Sequence, residues 1–155
     1  MLARLEGPFG LARRPMHIVV LDTNVIVSAL RSRRGASFAI VRRIGLEWAP
    51  LISVPLILEY EAVGKREAER LKIPEATINA VIRAFCYFGR ETDVYFRVRP
   101  FLRDPGDEFI LELAAAGRAD AIVTHNVRHF VGAGRFGVPV LTPRDFLRRI
   151  EGEGT

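Results

Sequence analysis

The stretch from His17 to Ile26 is apolar except where Asp22-Thr23-Asn24 interrupts it. A run of this kind suits a strand buried on both faces of a parallel sheet. Apolar positions then resume at helical spacing, so residues 25–30 predict a short helix closed by the basic turn 31–35. Residues 36–46 carry Phe38, Val41 and Ile44 at helical spacing. Residues 51–54 read as a second strand running straight into a helix, with Ser53 as its cap. That helix puts Leu56, Tyr60 and Val63 on one face and ends in the charged stretch 65–70. Another helix spans 74–88, opened by Pro74 and stopped by Gly89. Val94, Phe96 and Val98 alternate as a half-exposed edge strand would. A helix over 109–117, a strand over 121–124 and a short edge strand over 138–141 follow. Thr142-Pro143 then opens a last helix, with a cap residue followed by Pro at the first helical position. Strands and helices alternate throughout, which predicts an α/β domain with a parallel sheet covered on both sides.

The 155 residues are enough for one domain with a real core. We place that domain at 16–150. Residues 1–15 lack periodicity and read as a loose arm or a misplaced start upstream of Met16, and 151–155 as a tail. Hydrophobic content of 49% with 26% charged residues describes a soluble globular chain. No apolar run approaches the roughly 20 residues needed to span a bilayer, so no membrane role is expected. The single Cys86 rules out an internal disulfide and, beside three scattered His, argues against zinc. A reducing, cytoplasmic setting fits this usage. Net charge is +5, and of 23 basic residues only Lys65 and Lys72 are lysines. Arg grips phosphate with a planar two-bond fork, so the surface suits a nucleic acid. Base composition of the genome would explain the same Arg bias.

The acidic residues decide between these. Asp22 belongs at the carboxyl tip of a buried strand, where open α/β sheets bind ligands. A carboxylate there needs a partner or a cation; capping the next helix is the plain alternative. At 100° per residue Glu59 lies about 60° from Leu56, on the margin of the apolar stripe, whereas Glu61 points to solvent. A structural ion pair with an Arg would also account for Glu59. In Asp104-Pro105-Gly106-Asp107, Asp104 makes a good helix cap. Asp107 flanks the Ile110/Leu113/Ala114 face, with Glu108 and Glu112 expected as an exposed pair opposite. Asn126 follows the 121–124 strand and could offer an amide oxygen to a cation or its water. Three inward carboxylates repel unless a cation neutralises them, and hard oxygens with no thiolate favour Mg2+ or Mn2+.

At these residues the chain resembles the PIN-domain nucleases, in particular the toxin-like, VapC-like branch of toxin–antitoxin systems. The resemblance is carried by Val20-Leu21-Asp22-Thr23-Asn24-Val25, by Ser53 through Glu59-Tyr60-Glu61, and by Asp104-Pro105-Gly106-Asp107-Glu108. Ala119 to Thr124 and Val140 to Leu147 complete it. It implies a three-layer sandwich around a parallel sheet of four or five strands, and Mg2+- or Mn2+-dependent cleavage of RNA; with a metal-activated water rather than the ribose 2′-hydroxyl as nucleophile, the expected products carry a 5′-phosphate and a 3′-hydroxyl. It implies Asp22, Glu59 and Asp107 as the acidic ligands, with Asp104 a helper and Thr23, Asn24 and Thr124 orienting the carboxylates. The family often has a further Asp where this chain has Asn126, which removes one negative charge from the pocket. It also implies a cognate antitoxin and self-association. Residues 36–46 and 74–88 carry more apolar side chains than one buried face requires, so a homodimer through one of them is expected. Arg31, Arg33 and Arg34 follow the helix that starts at Asp22 and are expected to flank the groove and hold RNA phosphates.

Two rivals stand beside this reading. Haloacid-dehalogenase-like phosphatases also begin with Asp at a strand end, but have a second Asp two residues on, where this chain has Asn24. The other is a catalytically weak PIN-fold module that binds RNA or protein. His125 and His129 are four apart but lack the helical Glu of a zinc-protease pair, which leaves His125 at most a phosphate contact on the rim.

Overall fold

The computed structural model describes residues 16–94 and 105–152. Five strands are formed: β1 His17–Leu21, β2 Trp48–Ile52, β3 Arg90–Glu91, β4 Ala121–Val123 and β5 Val140–Leu141. All neighbouring pairs are parallel and the order is β3-β2-β1-β4-β5. Six helices accompany them: α1 Thr23–Arg31, α2 Ala36–Arg42, α3 Val54–Leu71, α4 Glu75–Phe88, α5 Pro105–Ala116 and α6 Pro143–Gly152. The chain builds outward from β1 to β2 and β3, then returns to add β4 and β5 on the other side. Right-handed crossovers therefore put α1–α4 on one face and α5 on the other. α5 packs against β1, β2 and β4, while α4 packs against β2 and α6 against α2. No helix among the described residues is long and apolar enough to cross a membrane.

Burial explains the sequence pattern. Val19, Val20 and Leu21 are fully buried, as are Ile122 and Val123 beside them, since helices cover both sheet faces. Trp48, Phe85 and Phe146 stack edge to face across the α-helical layer, and Trp48 Nε1 donates to the Ile40 carbonyl at 2.8 Å. Caps act where expected: Ser53 accepts from the Leu56 amide and Thr142 from the Asp145 amide.

Several boundaries differ from the sequence reading. β2 begins at Trp48 rather than 51, since Pro50 within it disguises a strand that pairs Val19 with Pro50. Helix α2 stops at Arg42 and not at 46. The chain turns there through Gly45 at φ +82°, against the Phe88 ring, which leaves no room for a Cβ. Of the expected 94–98 strand, Val94 lies outside any strand and the rest falls outside the described residues. The sheet edge on that side is instead Arg90–Glu91, two exposed charged residues with no apolar signature.

Candidate functional site

Asp22 follows the last residue of β1 and its amide donates to the Val123 carbonyl of β4 at 2.9 Å. The chain reverses its direction of travel across the sheet between β1 and β4, so Asp22 stands at the carboxyl-side crevice of the switch point. It occupies the cap position of α1, yet its carboxylate closes no capping hydrogen bond. Instead Oδ2 accepts from Thr124 Oγ1 at 2.8 Å and from Asn24 Nδ2 at 3.3 Å. Both bonds fall on one oxygen and fix the plane of the group. Burial, the largest influence, pushes the Asp22 carboxyl above its ordinary value. The Thr124 bond and the nearby Thr23 and Asn24 amides pull it back, and the charge of Glu59 pushes it up again.

Glu59 comes from the second turn of α3. Its side chain is exposed rather than held near the core, and Thr23 Oγ1 donates to its Oε2 at 2.6 Å. The buried stripe of α3 is Leu56, Tyr60, Gly64 and Ala68, which turns Glu59 out toward the crevice mouth. Glu61 is half-buried and pairs with Lys65 at 2.7 Å.

Asp107 sits in the first turn of α5 with 9% of its surface exposed. Its Oδ2 lies 3.1 Å from Nδ1 of His129, on the 3-10 turn Val127–Phe130 that follows β4. Glu108 and Glu112 are buried too, against expectation. Layer α5 is covered on nearly every side, so no face of it is left for an exposed pair. Asp104 falls outside the described residues. The Asn126 amide N–H donates to Thr124 Oγ1 at 3.0 Å, while the residue as a whole is exposed. His125, whose amide donates to Asn24 Oδ1, places Nε2 3.0 Å from the buried Ser37 hydroxyl.

Arg31 and Arg33 stand at the end of α1 away from Asp22. α1 and α3 run side by side: Thr23 meets Glu59 at one end and Arg31 meets Glu67 at the other, the latter at 2.7 Å. Eight residues of helix separate these contacts, about 12 Å at 1.5 Å per residue. Arg31 and Arg33 instead line a cavity with Phe38, Leu71 and Lys72 at the far end of the two helices. Arg33 and Arg34 are exposed.

Among the described residues, no three His, Cys, Asp or Glu side chains form a group able to hold a metal as they stand. The structure couples Asp22 to Glu59 electrostatically and joins Asp107 to His129. The donors themselves suit a hard divalent cation. They are carboxylate oxygens at a strand-end crevice, and the Asp22–Glu59 repulsion is what a cation would relieve. Sequence reasoning missed His129 as the partner of Asp107 and Tyr60 as a neighbour of the pair. The His129 contact has no local signal, because it joins positions 22 residues apart (129 − 107).

One chain of the crystal structure of VapBC2 from Rickettsia felis bound to a DNA fragment from their promoter has the same fold. The match has a TM-score of 0.54 at 15% identity and covers 81% of this chain and 98% of that one. No curated protein matches the sequence. The PIN domain family matches residues 18–128, a span that holds Asp22, Glu59, Asp107 and Asn126. With most of its length matched, the chain belongs to the PIN domain family.

Proposed function

We propose that this protein is a divalent-metal-dependent endoribonuclease, using Mg2+ or Mn2+, and that it is the toxin component of a toxin–antitoxin pair. The observation that carries the reading is the Asp22–Glu59 pair at the switch-point crevice, each carboxylate anchored by a hydroxyl, from Thr124 and from Thr23. Asp22, Glu59 and Asp107 would hold the cation, with Asn126 a neutral contributor on the rim. When bound, the cation supplies Lewis acidity and neutralises charge at a phosphodiester. Thr124 and Asn24 hold the plane of Asp22, and Thr23 holds Glu59, so both acids are oriented before a cation arrives. Arg33 and Arg34 are exposed and offered to RNA phosphates, while Arg31 is engaged by Glu67. An antitoxin partner is supported by the fold shared with a chain of the VapBC2 complex.

The test is cleavage of single-stranded RNA by the full chain with Mn2+ or Mg2+, stopped by EDTA. Asp22→Asn, Glu59→Ala and Asp107→Ala should each lose roughly 10²-fold or more, since even indirect metal-site losses cost 10–100-fold. Products ending in 5′-phosphate and 3′-hydroxyl are expected. Asn126 and the lack, among the described residues, of a ready-made group of three acids favour a second reading, a weakly catalytic binding module. RNA retained on the protein without cleavage under any metal would select it.

A further inference from the structure

Tyr60 immediately follows Glu59 on α3 and is fully buried. Its ring meets Phe85 edge to face, with centroids 5.2 Å apart, and its hydroxyl donates to the carbonyl of Leu21. Leu21 is the residue before Asp22. The registered β1–β2 pairing ends at Val19 opposite Pro50, so the Leu21 carbonyl lies beyond that ladder. Ser53, just past β2, has already turned to cap α3. A buried carbonyl requires a donor, and Tyr60 provides it from the neighbouring helix.

Two bonds therefore join the end of β1 to the second turn of α3, Tyr60 to Leu21 and Thr23 to Glu59. They differ in durability. The Thr23 bond ends on the Glu59 carboxylate at the surface, where a cation competes for the same oxygens. The Tyr60 bond ends on backbone in the dry interior, where no ligand reaches it. A slide of α3 by one residue's rise, about 1.5 Å, would move Glu59 against Asp22 by most of an Mg2+–oxygen bond length. We propose that Tyr60 is a positioning residue that sets the separation of the Asp22 and Glu59 carboxylates through the Leu21 carbonyl, and so sets their affinity for a divalent cation. This rests on the metal-dependent reading above.

Calorimetric Mn2+ titration of the full chain tests it, comparing wild type, Tyr60→Phe and Thr142→Ala. Tyr60→Phe keeps the ring against Phe85 and deletes only the hydroxyl. Thr142→Ala removes a cap on α6, away from the site. Tyr60→Phe should bind Mn2+ at least about 10-fold more weakly, the scale of losses behind the ligands themselves, and Thr142→Ala should match wild type. Undiminished affinity in Tyr60→Phe, or an equal drop in both variants, overturns the proposal while leaving the metal reading intact. No Mn2+ binding by wild type removes the metal reading and this proposal with it. If Tyr60→Phe does not fold, wild type labelled with 13C at tyrosine Cζ replaces it, since the chain has only three tyrosines. The Tyr60 resonance should move with added Mg2+ at the midpoint of a calorimetric Mg2+ titration of the same protein, and a stationary resonance overturns the proposal.

Discussion

At the scale of single residues, Asp22 carries an electrostatic cost that the proposed metal-binding role accounts for. Its carboxyl is raised above the usual 3.8, mainly by burial and further by Glu59. The folded protein therefore holds this proton more tightly than the unfolded chain does. Stability from this group is complete below the ordinary value and is lost as pH rises through the raised one. Asp22→Asn should thus be more stable than wild type at neutral pH in the absence of metal, and should lack that decline just above 3.8. Thermal unfolding of both proteins across that range is the measurement, and parallel curves would refute the assignment. Asp22 was legible from the sequence because a continuous apolar strand has one end, and the polar break marks it. Glu59 was expected near the core, and its burial was misjudged. The stripe was centred on Leu56, Tyr60 and Val63, whereas burial runs through Gly64 and Ala68, small residues that hydrophobic patterning underweights. Recentred on the true stripe, Glu59 lies about 120° away, outside the core. Glu108 and Glu112 defeated the same method for a different reason, since a wheel locates a face only where solvent covers the other.

At the scale of elements, α1 and α3 act as a clasped pair. Glu67 lies between Arg31 and Arg70, at 2.7 Å from the first, with 12% of its side chain exposed. The hydrogen bonds from Arg70 and then Arg31 hold its carboxyl down, from the usual 4.5 to about 2. The sign is opposite to that of Asp22. This stability is present above 4.5 and disappears as pH falls toward 2. Glu67→Gln should leave a protein whose melting temperature declines less steeply over that acid window than wild type, and an unchanged acid limb would mean that the cluster contributes nothing. The helices themselves were legible because their ends carry recognisable chemistry: Ser53 and Thr142 as caps, Gly89 as a stop. The strand at the sheet edge was not, since Arg90 and Glu91 are held by pairing to Leu51 and Ile52 and by no pattern of their own. Arg31 and Arg33 stand at the far end of α1 because a helix that begins at the site also carries its far end away from it.

At the scale of the molecule, the α/β order of elements was enough to anticipate a parallel sheet with covered faces, and the strand order followed from pairing that no local pattern encodes. Self-association belongs to this scale too. Of the two helices expected to offer a dimer face, α2 is spent against α1 and α6. The end of α4 is open: Tyr87 is 82% and Phe88 42% exposed, and Leu46, beside the Gly45 turn on which Phe88 rests, is 70% exposed. Tyr87 and Phe88 already pack edge to face at 4.8 Å, a preformed aromatic knob. An apolar cluster at one end of a surface helix suits a two-fold contact, in which the same patch meets its copy. We therefore propose a homodimer through the end of α4, with a mass twice 17.4 kDa in solution. Placing like charges at the centre of such a contact would set them against each other across the two-fold axis. Leu46→Glu with Tyr87→Glu should yield a monomer with an unchanged fold by circular dichroism. Light scattering of both proteins at tens of micromolar decides it: a wild type that is already monomeric, or a double variant that still dimerises, would rule this face out.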